Sequence, residues 1–150
     1  MRLVIQRVSE ALVSIEGECV GSIGKGLMIL VGVEDADTQD DVRWLSKKVS
    51  DMRIFADNEG KMNLSIKDVE GQALIVSQFT LHASTKKGNR PSFIKAAKPD
   101  HANHLYELFK EEMCQLLAGR IACGQFGADM QVALINDGPV TIVMDSQNRE

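Results

Sequence analysis

Apolar and polar positions alternate through the first fifth of the chain, shift to helical spacing, return to a strand pattern, and repeat the shift once. Residues 1–8, 11–16, 19–23 and 27–31 read as strands. Within the second, Val13 and Ile15 alternate with Ser14 and Glu16, as in a strand with one wet face. From Thr38 onward Val42, Leu45, Val49 and Met52 recur at helical spacing. Thr38-Gln39-Asp40-Asp41 has the spacing of a capping box, with Asp in the place of the usual Glu. Asp57-Asn58-Glu59-Gly60 is a turn, and residues 71–79 form a strand whose apolar run, Ala73-Leu74-Ile75-Val76, reads as buried. Pro99 suits the first turn of a second helix. Leu105, Leu108, Phe109, Met113, Leu116 and Leu117 make its apolar stripe, and Gly119 its C-cap. Strands follow over 121–126, 130–135 and 140–144, with Val132-Ala133-Leu134-Ile135 as a second buried run. The polar residues 146–150 are expected to fray. This order predicts one α/β domain over residues 1–150: β-rich, with mixed or antiparallel sheets and two helices packed on one side.

Composition narrows the function classes. A chain of 150 residues with 44% hydrophobic and 25% charged positions can build a core without disulfide staples. Cys19, Cys114 and Cys123 are widely spaced with no C-x-x-C pair, which predicts buried reduced thiols and argues against a thiolate zinc site. Residues 1–8 resemble a strand and not a signal peptide, and no apolar run reaches membrane-spanning length. A cytoplasmic location is the expectation. Aromatics are 5% of the chain, which argues against a stacking platform for bases. The net charge of −4 should not attract nucleic acid to the chain as a whole, DNA included. The exception is local: residues 84–98 hold Lys86, Lys87, Arg90, Lys95 and Lys98 and no acid. Such a loop is either a solvated surface or a phosphate contact.

Two stretches carry candidate chemistry. Ser77-Gln78-Phe79-Thr80-Leu81 closes the first buried run with two hydroxyls and an amide, and Asn136-Asp137-Gly138-Pro139-Val140-Thr141 closes the second. Polar groups clustered at the edge of a core need partners, and the partner is often a ligand. Thr80 is a weak nucleophile without a bonded base, and His82 is the nearest candidate base if the strand runs that far. His101 and His104 read as surface residues, since no acid gives them HExxH spacing. The Ser77–Thr80 motif holds no carboxylate, so carboxylate acid–base catalysis is poorly supported. Hydrolysis of an already reactive ester, with backbone N–H groups stabilising the oxyanion, fits better. No cofactor and no metal is expected.

Both motifs together, with Gln6-Arg7-Val8 at the start and Gly88-Asn89-Arg90-Pro91-Ser92-Phe93 between them, resemble the D-aminoacyl-tRNA deacylases over essentially the whole chain. The resemblance implies a homodimer that cleaves the ester between a D-amino acid and the 3′-terminal adenosine of tRNA. It implies that Ser77, Gln78, Phe79 and Thr80 form the pocket for that adenosine and its ester. It also implies that Gly138 and Pro139, joined by a cis bond, reach into the partner's pocket as a chiral gate held by Arg7. An L side chain would be excluded and a D side chain directed to solvent, so glycine would also pass. The basic loop, through Lys86, Lys87 and Arg90, is then placed to hold tRNA backbone. A deacylase of another acyl-tRNA and a non-catalytic module that grips the tRNA 3′ end are the alternatives.

Overall fold

One long strand, β1 (Arg2–Ile15), is the pivot of the computed structural model, which describes residues 1–150. Residues 2–8 of β1 pair antiparallel with β3 (Gly26–Gly32), and residues 11–15 pair with β2 (Glu18–Ile23). On its other side β1 pairs along nearly its whole length with β8 (Gln131–Asp145). Two strands were therefore expected where one runs through: Glu10 stays in the ladder opposite Ile135 although its side chain is polar and exposed.

Beyond β3 the sheet continues in parallel with β6 (Gln72–Ser77) and then β7 (Ile121–Cys123). Parallel neighbours need crossovers, and α1 (Gln39–Asp51) and α2 (Pro99–Leu116) supply them. Successive crossovers of one hand, stepping in one direction across the sheet, leave both helices on the same face. Val42, Leu45 and Val49 of α1 and Leu105, Phe109 and Met113 of α2 accordingly share one core with Leu3, Ile5, Ile29 and Ile75. A second, smaller core lies on the opposite face around Val8, Val13, Met28, Leu74 and Val76, with Val132 and Leu134 packed against it. The sheet curls over that core until β2 meets β7: a Cβ on Gly21 would stand 3.1 Å from the Cys123 carbonyl oxygen. The expected architecture, a mixed β-rich sheet with two helices on one side, is the observed one.

The differences lie in boundaries and burial. The predicted strands at 130–135 and 140–144 are two halves of β8, and β7 stops at Cys123, short of residue 126. Val132–Ile135 is not buried on both faces: residues alternate along β8, and Ile135 is 54% exposed. The Asp57–Gly60 turn closes a small hairpin of β4 (Phe55–Ala56) and β5 (Met62–Leu64). All three thiols are free, but Cys19 is exposed and Cys114 and Cys123 are only half-buried. The tail is tied down. Ser146 is buried and accepts from the Met1 ammonium at 2.8 Å, while that ammonium also pairs with Asp37. The Gln147 amide donates to Asp37 and Asp41, and the Arg149 guanidinium lies 4.3 Å from the centre of the Trp44 ring. No helix is long and apolar enough to cross a membrane.

Both halves of the capping box form at α1: the Asp40 N–H donates to the Thr38 hydroxyl, and the Thr38 N–H donates to Asp41 at 2.8 Å. Burial pushes the Asp41 carboxyl up, but hydrogen bonds from Thr38 and Ser146 outweigh it and hold the group below its ordinary 3.8. A carboxylate whose folded pKa is depressed stabilises the fold above its unfolded pKa, and loses that contribution as pH falls through the folded value. Asp41→Asn should cost about 1 kcal/mol at neutral pH and flatten the acid limb of the stability profile below about pH 4. Urea unfolding across pH checks it; a variant with the wild-type acid limb would remove Asp41 as its source.

Candidate active site

The carboxyl ends of the three parallel strands open on one edge of the sheet, and a cleft of about 720 Å³ lies there. Val31 and Val33 line it from the end of β3, Ser77, Gln78 and Phe79 from the end of β6, and Phe126–Met130 from the chain after β7. Ala102 and Tyr106 of α2 close one wall. The lining is mostly apolar, with Ser77, Gln78, Lys98 and Asp129 among its few polar side chains.

β6 ends earlier than its sequence suggests. The Gln78 N–H still reaches the Val31 carbonyl at 2.7 Å, but residues Phe79–His82 turn into a 3₁₀ helix. The Leu81 N–H closes on the Gln78 carbonyl at 3.3 Å and the Ala83 N–H on that of Thr80 at 3.0 Å. The turn places Thr80 beside Gln78, whose side-chain amide donates to the Thr80 hydroxyl at 2.5 Å. Thr80 itself is half-buried and joins the cleft through this bond. At its far end the turn is anchored by Arg2, which donates from Nη1 to the Leu81 carbonyl at 2.7 Å and pairs with Asp145.

His82 does not serve Thr80. With the strand broken, the imidazole turns inward, 2% exposed, packs toward Gly32, and lies 3.9 Å from a Glu34 carboxylate oxygen. His101 is half-buried with Nε2 on the Asp37 carbonyl at 3.0 Å, and only His104 is fully at the surface. No group of three or more His, Cys, Asp or Glu side chains is placed to hold a metal. Tyr106, which sequence reasoning assigned no role, donates its hydroxyl to the Ile75 carbonyl at 2.9 Å, and burial pushes its pKa well above the ordinary phenol value. Its only signal in the sequence is helical spacing, three residues before Phe109 and seven before Met113.

Gly138 and Pro139 do not line this cleft in their own chain. They sit in a bulge in the middle of β8. Gln6 pairs with Thr141 and Val8 with Asn136, so residues 137–140 of β8 stand opposite Arg7 alone. Arg7 holds the bulge. Its guanidinium donates to the Asp137 carbonyl at 3.1 Å and to the Ile54 carbonyl at 2.6 Å, and pairs with the Asp137 carboxylate at 3.3 Å. The Asn136 side chain bridges the base of the bulge, accepting from the Val140 N–H and donating to Thr141, each at 3.0 Å. The Gly138–Pro139 peptide bond is cis, and both residues are exposed.

Lys86, Lys87 and Arg90 are exposed on a loop that a pair of backbone bonds between Ser84 and Ser92, 2.8 and 2.9 Å, pinches shut. The loop runs on to Phe93, whose ring packs edge-to-face on that of Phe79 at 5.1 Å, at the lip of the cleft. The basic loop and the Ser77–Thr80 segment are thus neighbours, while the Gly138-Pro139 bulge stands apart from both.

A family model for D-Tyr-tRNA(Tyr) deacylase matches residues 4–145. The chain belongs to that family. It is 67% identical to a D-aminoacyl-tRNA deacylase of Akkermansia muciniphila and 60% identical to one of Flavobacterium johnsoniae, each match covering 100% of both chains. A solved structure named c-Myc DNA Unwinding Element Binding Protein is similar with a TM-score of 0.92 at 39% identity, covering 97% of this chain and 98% of its own. A probable eukaryotic D-amino acid tRNA deacylase shares the fold, with a TM-score of 0.82 at 19% identity over 95% and 97% of the two chains.

Within the deacylase fold the bulge makes a sharp demand at Gly138. Its φ is +129°, and a Cβ there would meet Val140 Cγ2 at 2.9 Å and Arg7 Nη2 at 3.0 Å. Gly138→Ala should therefore cost about 1–3 kcal/mol. Thermal unfolding measures it; a variant as stable as the parent would mean the bulge relaxes freely.

Proposed function

We propose that the protein hydrolyses the ester joining a D-amino acid to the 3′-terminal adenosine of tRNA, acting as a homodimer. Family membership makes the chain an ester hydrolase of aminoacyl-tRNA. The observation that carries the finer reading is the Ser77–Thr80 segment, which leaves a buried strand, lines the cleft and joins Thr80 to it through Gln78. An aminoacyl ester is reactive enough for water to attack if the oxyanion is stabilised, and the first N–H groups of a 3₁₀ turn have no acceptor inside it. Phe79 and Thr80 open that turn. Since Thr80 Oγ1 already accepts from Gln78 and no base is bonded to it, its own proton is free to be donated. Thr80 therefore orients the substrate and does not attack it.

Stereochemical choice falls to Gly138 and Pro139 of the second copy. Arg7 and Asn136 fix the bulge from below, so its exposed tip meets a substrate as a rigid object. Rejection of L side chains at such a tip leaves D side chains unread and admits glycine, so mischarged glycyl-tRNA is a substrate too. Lys86, Lys87 and Arg90 hold tRNA backbone beside the cleft.

The deciding experiment offers the pure protein tRNA charged with a D-amino acid, with its L enantiomer or with glycine. Free amino acid is expected from the first and third only. Equal release from the L-charged tRNA would remove the gate. No release from any, with tRNA still bound, would favour a non-catalytic module gripping the 3′ end. In the same assay Thr80→Ala should lose about ten- to a hundred-fold in rate without abolishing it, because backbone N–H groups survive the change. An acyl-enzyme trapped on Thr80 in rapid-quench mass spectra would restore the nucleophile. Replacing Lys86, Lys87 and Arg90 with Ala should weaken tRNA binding and flatten its dependence on salt while D/L preference stays intact. An unchanged salt slope would place the phosphates elsewhere.

A further inference from the structure

The least expected feature of the cleft is aromatic. In a chain with only 5% aromatic residues, two phenylalanines meet at the cleft and are uncovered within the single chain, Phe79 at 57% and Phe93 at 38% exposure. Their rings are 5.1 Å apart at 74°, so each fixes the other. Ile94 beside them is 90% exposed. Apolar side chains left uncovered at the rim of a cleft mark a contact surface. What surrounds them says which contact. Residues 84–98 carry five basic residues and no acid; the Ser84–Ser92 pinch closes that loop on itself, and the bond from the Ala97 N–H to the Val33 carbonyl at 2.9 Å ties its far end to the chain just after β3. Aromatic faces interleaved with fixed cations are the composition that binds single-stranded nucleic acid, where bases stack and phosphates pair.

We infer that Phe79 and Phe93 form a stacking subsite for an unpaired base of the tRNA 3′ end, the base next to the terminal adenosine. The inference rests on tRNA being the substrate, as proposed above. The cleft then takes the terminal nucleoside with its ester, the aromatic pair takes the nucleotide before it, and Lys95 and Lys98 follow the backbone between the two. Because every base has a π face, this subsite reads single-strandedness and not sequence, which suits an end common to all tRNAs.

A fluorescent base analogue reports stacking directly, without any need for turnover. An uncharged acceptor-stem hairpin carrying 2-aminopurine at the penultimate position should be quenched on binding the wild-type protein. Quenching should be lost with Phe93→Leu, which keeps an apolar side chain, and kept with Phe93→Trp, which keeps an aromatic plane. With D-charged tRNA as substrate, Phe93→Leu should raise KM about ten-fold or more, with the smaller effect on kcat, and Phe93→Trp should restore it. Absence of quenching in the wild type, or equal quenching by Phe93→Leu, would overturn the subsite. So would a fall in mass by light scattering in Phe93→Leu with quenching unchanged, which would assign the pair to contact with a second copy. Failure of the wild type to release any amino acid would count against the deacylase reading alone, since quenching does not depend on it.

Discussion

Everything at the candidate site depends on β6 being buried on both faces. Ala73 and Ile75 belong to the core beneath the helices, Leu74 and Val76 to the core on the other side, and all four are closed to solvent. A strand so placed can carry no polar side chain along its buried length. Its first polar groups therefore appear together where it leaves the sheet, and because β3, β6 and β7 are parallel, they leave at the same edge. In open sheets with parallel strands, ligands bind at the carboxyl ends of those strands. Ser77, Gln78 and Thr80 are polar because that edge is the first place the chain can afford it.

The second constraint is antiparallel. β1 and β8 keep register over most of their length, yet one residue of β1 faces residues 137–140 of β8. The surplus chain has no ladder to hold it. Arg7 supplies the missing partners with a planar fork of donors spread over Asp137 and Ile54, a task a lysine ammonium performs poorly. The bulge and the arginine are two halves of one device, although they are far apart in sequence.

Helices were legible because their stripes are local: Val42, Leu45 and Val49 need only their own spacing to declare a buried face. β6 was legible because a continuous apolar run has few other uses. Periodicity does not reveal pairing, however. Val132–Ile135 resembles β6 by composition, but it runs as an outer strand with one neighbour and lies half-exposed. β6 ends two residues before its sequence suggests, since Phe79 is apolar and nothing local says that the chain turns there. The condition on which His82 could serve Thr80, a strand running that far, fails at the same turn, and its direction follows from it. A polar tail suggests fraying, but Ser146 and Gln147 find partners at Met1, Asp37 and Asp41 that only folding brings near. Scarcity of aromatics hid the Phe79–Phe93 contact, because a count cannot show that two rings share one rim.

β8 is 15 residues long and hydrogen-bonded to β1 alone, with Ile135 and Val143 exposed. A strand of that length with a free edge is a template on which other chains can grow a sheet. The bulge at residues 137–140 divides the free edge into two short runs, and Pro139 removes a donor from it. The segment proposed to judge substrates thus also keeps the edge from acting as a seed for aggregation. Straightening it would join the two runs into one long free edge of the kind on which other chains pair.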